Sequence, residues 1–173
     1  MNQYETSRLI VRPLRASDVT DIYEYAQLMD VGQSAGFVPV NSPVEASLFI
    51  ATLQKQGIFA IELKATRKVV GNIGLYEVVD ENQESSLTVK EIGYALNPAF
   101  QNQGIMTEAV QGLLTAARGG SLKRIMGVTT LENEASIQVL KKSNFQFIDK
   151  REVPSIFSPV ELIVELVYAI DLN

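Results

Sequence analysis

The 173-residue chain contains no cysteine and no histidine. Without cysteine there can be no disulfide, no thiolate nucleophile and no cysteine-ligated zinc, and no metal is expected in its site. Without histidine, acid and base work near neutral pH falls to a shifted carboxyl, a tyrosine, a serine, a backbone group or water. Positive charge is in deficit: 15 Lys and Arg stand against 20 Asp and Glu, a formal net charge of −5. That balance argues against nucleic-acid binding through a general basic field, and it suits a cationic substrate or simple solubility equally. No apolar run is long enough to span a bilayer, and the N-terminus lacks the charged, apolar and small-residue order of a signal peptide. A cytoplasmic protein without a membrane partner is expected. With 46% hydrophobic residues, the chain can bury a substantial core as one domain over residues 1–173.

Hydrophobic periodicity divides this core into strands and helices. Residues 8–14 are apolar and β-branched up to Pro13 and predict a first strand. Ala16-Ser17-Asp18 reads as a helix cap before Ile22, Tyr25, Ala26 and Met29 at helical spacing. Residues 32–36, followed by Phe37, read as a mobile inter-helix segment. Ser42-Pro43 opens a second helix to about Gln56, with Glu45 near its positive end. Strands are predicted over 58–63, 69–79 and 87–96, with a polar hairpin loop at 80–86. Beyond Gly104, Ile105, Ala109, Leu113 and Ala117 recur every fourth residue, so one face of that helix is core. Gly119-Gly120 ends it, and residues 124–130 form the next strand, which implies a parallel pair. A further helix over 133–143 and strands over 145–150 and 161–170, separated by a loop at 154–159, complete an α/β chain with a mixed sheet of about seven strands and about four helices.

The most informative run is Glu91-Ile-Gly-Tyr-Ala-Leu-Asn-Pro-Ala-Phe-Gln-Asn-Gln-Gly-Ile-Met-Thr-Glu-Ala109. Pro98 stops a sheet ladder, and Gly104 frees the backbone to turn and to approach a ligand where a helix begins. A helix N-terminus at such a turn aims unpaired N–H groups and a partial positive charge at an anion. A phosphate loop of the nucleotide triphosphatase type is excluded, because no Gly-Lys-Ser or Gly-Lys-Thr follows.

Three segments in order, Ser7-Arg-Leu-Ile-Val-Arg-Pro-Leu14, the 91–109 run and Asn133-Glu-Ala-Ser-Ile-Gln-Val-Leu-Lys-Lys-Ser-Asn-Phe145, resemble the GNAT acyltransferases. Their order and spacing look most like the branch that acetylates ribosomal-protein N-termini, and the resemblance covers nearly the whole chain. It implies the GNAT fold, with a central splayed parallel pair of strands, and acetyl-CoA as donor, with coenzyme A as product. The family's pyrophosphate turn has Gln or Arg, two variable residues, Gly, a variable residue, then Gly or Ala; Gln101 and Gly104 fit, and Met106 does not. Binding is expected to survive if the Met106 side chain points away from the phosphates.

By this resemblance the cofactor is held by Ala95, Leu96, Asn97, Gln101, Asn102, Gln103, Gly104, Ile105, Met106, Thr107, Asn133 and Ser136. The pantetheine arm would lie where strand 91–96 splays from strand 124–130, pairing with backbone near Ala95 and Leu96, with Asn133 and Ser136 across the gap. Asn133 reads equally as a helix N-cap, and the two roles are compatible. Many family members carry a tyrosine that protonates the departing thiolate where this chain has Leu140. Ser136, one turn earlier, is the replacement expected from the ribosomal-protein branch, or else a plain helix serine. Asn144 replaces the glycine usual before Phe145, a mild change in a left-handed cap.

The reaction implied is direct attack by a primary amine on the acetyl thioester, polarised by a strand N–H. Glu91 is the candidate base, directly or through water, with Glu77 and Glu152 as substitutes, or it is simply a hydrogen-bonded strand carboxylate. Removing a proton from an α-amine at pH 7 costs about 1 kcal/mol, against about 4.6 kcal/mol for a lysine amine. That favours the N-terminal α-amine of a ribosomal or other protein as acceptor. The alternatives are a small-molecule amine such as a polyamine, an aminoglycoside or an amino acid, or an acyl-CoA-binding protein without catalysis. The helix pair within 18–56 and the loop at 154–159 would flank the acceptor cleft. The chain is expected as monomer or homodimer.

Overall fold

The computed structural model describes residues 3–79, 84–158 and 160–172. They form two compact units, each built from two stretches of chain. Unit 1 takes Met1–Gly74 and Tyr94–Ala116; unit 2 takes Leu75–Gly93 and Ala117–Asn173.

In unit 1, strands β1 (Tyr4–Glu5), β2 (Leu9–Pro13), β3 (Phe59–Leu63) and the first part of β4 (Val69–Val79) lie side by side in that order, antiparallel throughout. Helices α1 (Val19–Ala26), α2 (Met29–Ala35), α3 (Pro43–Lys55) and α4 (Ile105–Ala117) belong to the same unit. The alternation Leu9, Val11 on β2 and the spacing Ile22, Tyr25, Ala26 on α1 bury their apolar faces, as period 2 and period 3.6 require. Ser42 caps α3 by accepting the Glu45 N–H at 3.2 Å, with Pro43 at the first helical position, as its sequence predicts.

Unit 1 departs from the sequence expectation at residues 32–36 and at its first strand. Residues 32–36 are not an inter-helix loop: 32–35 are the second half of α2, which Gly36 closes in a left-handed conformation at φ 74°. Asp18 caps the 3-10 turn Ala16–Asp18 that runs into α1, as its sequence predicts, and pairs with Arg12 as well. Its carboxylate is buried, accepts the Arg15 N–H at 2.8 Å and binds the Arg12 guanidinium at 2.9 Å. Short β1 was not foreseen at all; the Tyr4 hydroxyl, donating to the Ala109 carbonyl at 2.7 Å, holds it against α4.

Unit 2 contains the first part of β5 (Ser85–Leu96), then β6 (Arg124–Thr130), α5 (Glu134–Lys142), β7 (Gln146–Pro154) and β8 (Leu162–Asp171). The strand order is β5-β6-β8-β7. As expected from the strand–helix–strand run, β5 and β6 are parallel; β6–β8 and β8–β7 are antiparallel. Strand β7 runs on to Pro154, past the predicted end at Lys150, because Arg151 pairs with Glu165 across the ladder at 2.8 Å. The hairpin loop predicted at 80–86 falls partly on residues 80–83, and the loop at 154–159 ends on residue 159; those five lie outside the described residues.

Gly127 on β6 sets the position of α5. A Cβ there would stand 2.6 Å from Leu140 Cδ2, and Leu140 is fully buried. Gly127→Ala is expected to cost about 1–3 kcal/mol by overpacking. In urea unfolding, Leu140→Ala in the same chain should recover part of that loss, because the two changes share one space. Among the described residues there are eight strands and five α-helices, against the seven and four predicted. No helix among them is long and apolar enough to cross a membrane.

Candidate active site

The 91–109 run folds in unit 1 as the sequence proposes from Tyr94 onward. Strand β5 ends at Leu96, a short 3-10 turn occupies Pro98–Phe100, and α4 starts at Ile105. Asn97 pins the corner: its N–H donates to the Val70 carbonyl at 2.8 Å and its side-chain oxygen accepts the Ala99 N–H at 3.0 Å. β4 passes close behind, since a Cβ on Gly71 would meet the Ala95 carbonyl oxygen at 2.3 Å.

Between the corner and the helix the backbone turns left-handed twice, at Asn102 (φ 59°) and Gly104 (φ 74°). The first intrahelical bond of α4 is Glu108 N–H to the Gly104 carbonyl, at 3.0 Å. The N–H groups of the residues from Asn102 to Thr107 therefore donate to no acceptor among the described residues. Six free donors beside a 13-residue helix N-terminus make an anion cradle. Gln101, Asn102, Gln103 and Gly104 are exposed, whereas Ile105 and Met106 are buried. Met106 thus turns into the core and leaves the amide surface clear.

In unit 2, the described β5–β6 pairs run from Val89↔Arg124 to Ile92↔Gly127 and end there. Strand β6 continues to Thr130, with pairs on its β8 side only. The described parallel pairing therefore stops at Ile92.

Glu91 lies just before this end, opposite Met126, on a half-buried stretch of strand. Burial raises its carboxyl above the ordinary carboxylate range; Arg151 opposes the shift and Glu165 adds to it. Nearby Tyr76 is also raised, first by burial and then by the Glu91 charge. The two substitutes differ. Glu77 is exposed and paired with Lys90, which holds its carboxyl below the usual range. Glu152 sits exposed on β7. The raised carboxyl makes Glu91 a better proton acceptor near neutral pH than Glu77.

Helix α5 begins where β6 ends. Asn133 is its N-cap, accepting the Ser136 N–H at 3.1 Å, and Ser136 is half-buried in the first turn. At the other end Asn144 is left-handed (φ 66°), and the Phe145 N–H reaches back to the Leu140 carbonyl at 3.1 Å.

Residues 8–146 match the family described as Acetyltransferase (GNAT) domain. The chain belongs to this family. A relative, Uncharacterized N-acetyltransferase YoaA of Bacillus subtilis, is 28% identical over 149 residues, covering 82% of this chain and 81% of its own. The solved structure of a GNAT-family acetyltransferase from Bacillus anthracis has a TM-score of 0.84 at 24% identity, covering 98% of both chains. A second, RimL, a ribosomal L7/L12 alpha-N-protein acetyltransferase in complex with coenzyme A, has a TM-score of 0.77 at 20% identity, covering 99% of this chain and 98% of its own. The chain is accordingly a GNAT acetyl-transferring enzyme with the GNAT fold, and Rim-type enzymes stand among its fold neighbours.

Against the GNAT pattern, Leu140 is a packed core side chain above Gly127, with neither a hydroxyl nor a route to solvent. Ser136 and Asn133 carry the polar groups of the α5 N-terminus instead. Sequence reading passed over one pair beside the turn: Arg8, whose guanidinium Nε lies 2.6 Å from Glu108 Oε2. The Thr107-Glu108 start of α4 carried a weak signal, an acidic residue in a first helical turn. Its partner lies 100 residues earlier, beyond any local pattern.

Proposed function

We propose that this GNAT enzyme transfers the acetyl group of acetyl-CoA to the N-terminal α-amine of a protein or peptide, as a cytoplasmic enzyme of one domain. The observation that carries the choice of acceptor is the base available. In a chain without histidine, a half-buried carboxylate, Glu91, is the strongest acceptor on the strand that leads to the turn. A carboxylate suits an amine that is already partly neutral. An α-amine at pH 7 needs about 1 kcal/mol to lose its proton, against about 4.6 kcal/mol for a lysine side chain. The neighbour that acts on L7/L12 supports the same class of acceptor.

The donor fits the residues present. The free N–H groups of the 102–107 stretch bind the pyrophosphate, and the buried Met106 does not obstruct them. Backbone at Ala95 and Leu96 pairs with the pantetheine amides. Glu91 takes the proton of the attacking amine, directly or through water. As the new C–N bond forms and the C–S bond breaks, the Ser136 hydroxyl relays a proton to the departing thiolate, taking one from water as it gives its own. A strand N–H stabilises the oxyanion in between.

Thiol release from acetyl-CoA, followed across a panel of amines, tests this. Peptides with a free α-amine are expected to be acetylated, and the same peptides blocked at the N-terminus but carrying lysine are not. Faster turnover of polyamines or aminoglycosides would refute the acceptor class. Binding of acetyl-CoA without thiol release for every amine would identify a non-catalytic binding protein.

A further inference from the structure

We propose that Arg8 is a second phosphate-binding group of the coenzyme turn, aimed by Glu108, and that it makes the enzyme select donors that carry the pyrophosphate. This rests on the reading of the 101–107 turn as the pyrophosphate site.

Glu108, in the first turn of α4, accepts three bonds from the chain before β2: the Thr6 hydroxyl at 2.5 Å, the Arg8 N–H at 2.8 Å and the Arg8 guanidinium Nε at 2.6 Å. Burial pushes its carboxyl up, but these donors outweigh burial and hold it below the ordinary range. Its charge is therefore engaged from the Arg8 side. The same guanidinium donates through Nη1 to the carbonyl of Gln103, inside the turn, at 3.0 Å. Two of its nitrogens are thus fixed by the protein, one on each flank of the turn.

The third nitrogen, Nη2, has no acceptor among the described residues. It stands beside Gly104, where a Cβ would lie 3.6 Å from it, and nothing else comes within 4 Å of that point. The side chain is 48% exposed. A guanidinium held at two corners with its remaining fork edge open beside six free amides is pre-organised for a phosphate oxygen. The placement matters more in a chain of net charge −5, where the surrounding field repels a polyanionic donor.

The test compares two acetyl donors, acetyl-CoA and S-acetyl-pantetheine, which lacks every phosphate, by the ratio of their kcat/KM values. Wild type is expected to prefer acetyl-CoA strongly. Arg8→Gln should lower that preference about tenfold, the scale of one charge-assisted hydrogen bond. Arg8→Lys, which keeps the charge but not the fork, should restore part of it, and the salt dependence of the acetyl-CoA KM should be shallower in Arg8→Gln. If both variants keep the wild-type ratio, Arg8 only braces the turn and the proposal is overturned, with the pyrophosphate reading intact. If wild type itself shows no preference between the donors, the pyrophosphate reading fails and the proposal falls with it.

Discussion

Glu91→Gln is expected to lower kcat/KM for a peptide α-amine by about a hundredfold, the low end of what a positioned general base contributes. The pH profile is more diagnostic than the rate. Burial raises the Glu91 carboxyl, so its basic form is populated only above the ordinary carboxylate range, and activity should rise with pH through that region. In the variant this rise should disappear, leaving the one that follows the substrate amine's own pKa. Stability should move the other way. A carboxyl whose folded pKa exceeds its unfolded value contributes stability below the unfolded pKa and loses that contribution as pH rises through the folded one. The stability of Glu91→Gln relative to wild type in urea should therefore grow as pH rises through that region. Ser136→Ala, tested alongside, should lower kcat with a good thiol leaving group less than with acetyl-CoA. Unchanged rates across pH in both variants would remove both residues from the mechanism.

Arg12→Met is expected to cost about 3–5 kcal/mol of folding stability, the scale for leaving buried charges without a partner. Arg12 lies in unit 1 between two buried carboxylates. Its Nη atoms meet both oxygens of Asp18 at 2.9 Å, and its Nε meets Glu62 at 2.5 Å. All three side chains are at most 5% exposed. The guanidinium is held above its already high pKa, chiefly by the hydrogen bond to Asp18. It never deprotonates in the working range, so the effect belongs to the pair geometry and not to pH. Removing it strands two carboxylates, and the exposed Arg67, 2.8 Å from the other Glu62 oxygen, reaches only one of them. Replacing Arg12, Asp18 and Glu62 together by apolar residues of similar size should recover much of the loss in urea unfolding, which would separate a buried-charge penalty from a packing defect.

What could be read from the sequence follows the range of the forces involved. The 91–109 segment was legible because its signals are local: Pro98 ends a ladder, Gly104 permits a positive φ, and the apolar period changes from two to four between them. The α5 N-terminus was legible for the same reason, since Asn133 and Ser136 complete one capping bond across three residues. Helix α2 was hidden because Gly32 and, to a lesser degree, Ser34 have weak helix propensity. Its register is set instead by close packing: a Cβ on Gly32 would meet the Phe37 carbonyl oxygen at 2.6 Å. Asp18 was legible as a capping residue, whereas its second role, the ion pair with Arg12 on the neighbouring strand, was not. Arg8 and Glu108 were unreadable as a pair, and so was the distant anchor that makes a two-residue stretch at Tyr4 into a strand.

The lock of Leu140 over Gly127 also constrains what this chain can carry at position 140. A tyrosine at 140 would need room for a ring where a bare glycine already meets a leucine methyl, and an opening for its hydroxyl where none exists. No single exchange supplies both. Position 140 is therefore closed to an aromatic hydroxyl unless α5 itself lifts from β6, so Leu140→Tyr is expected to destabilise the fold rather than to supply an acid.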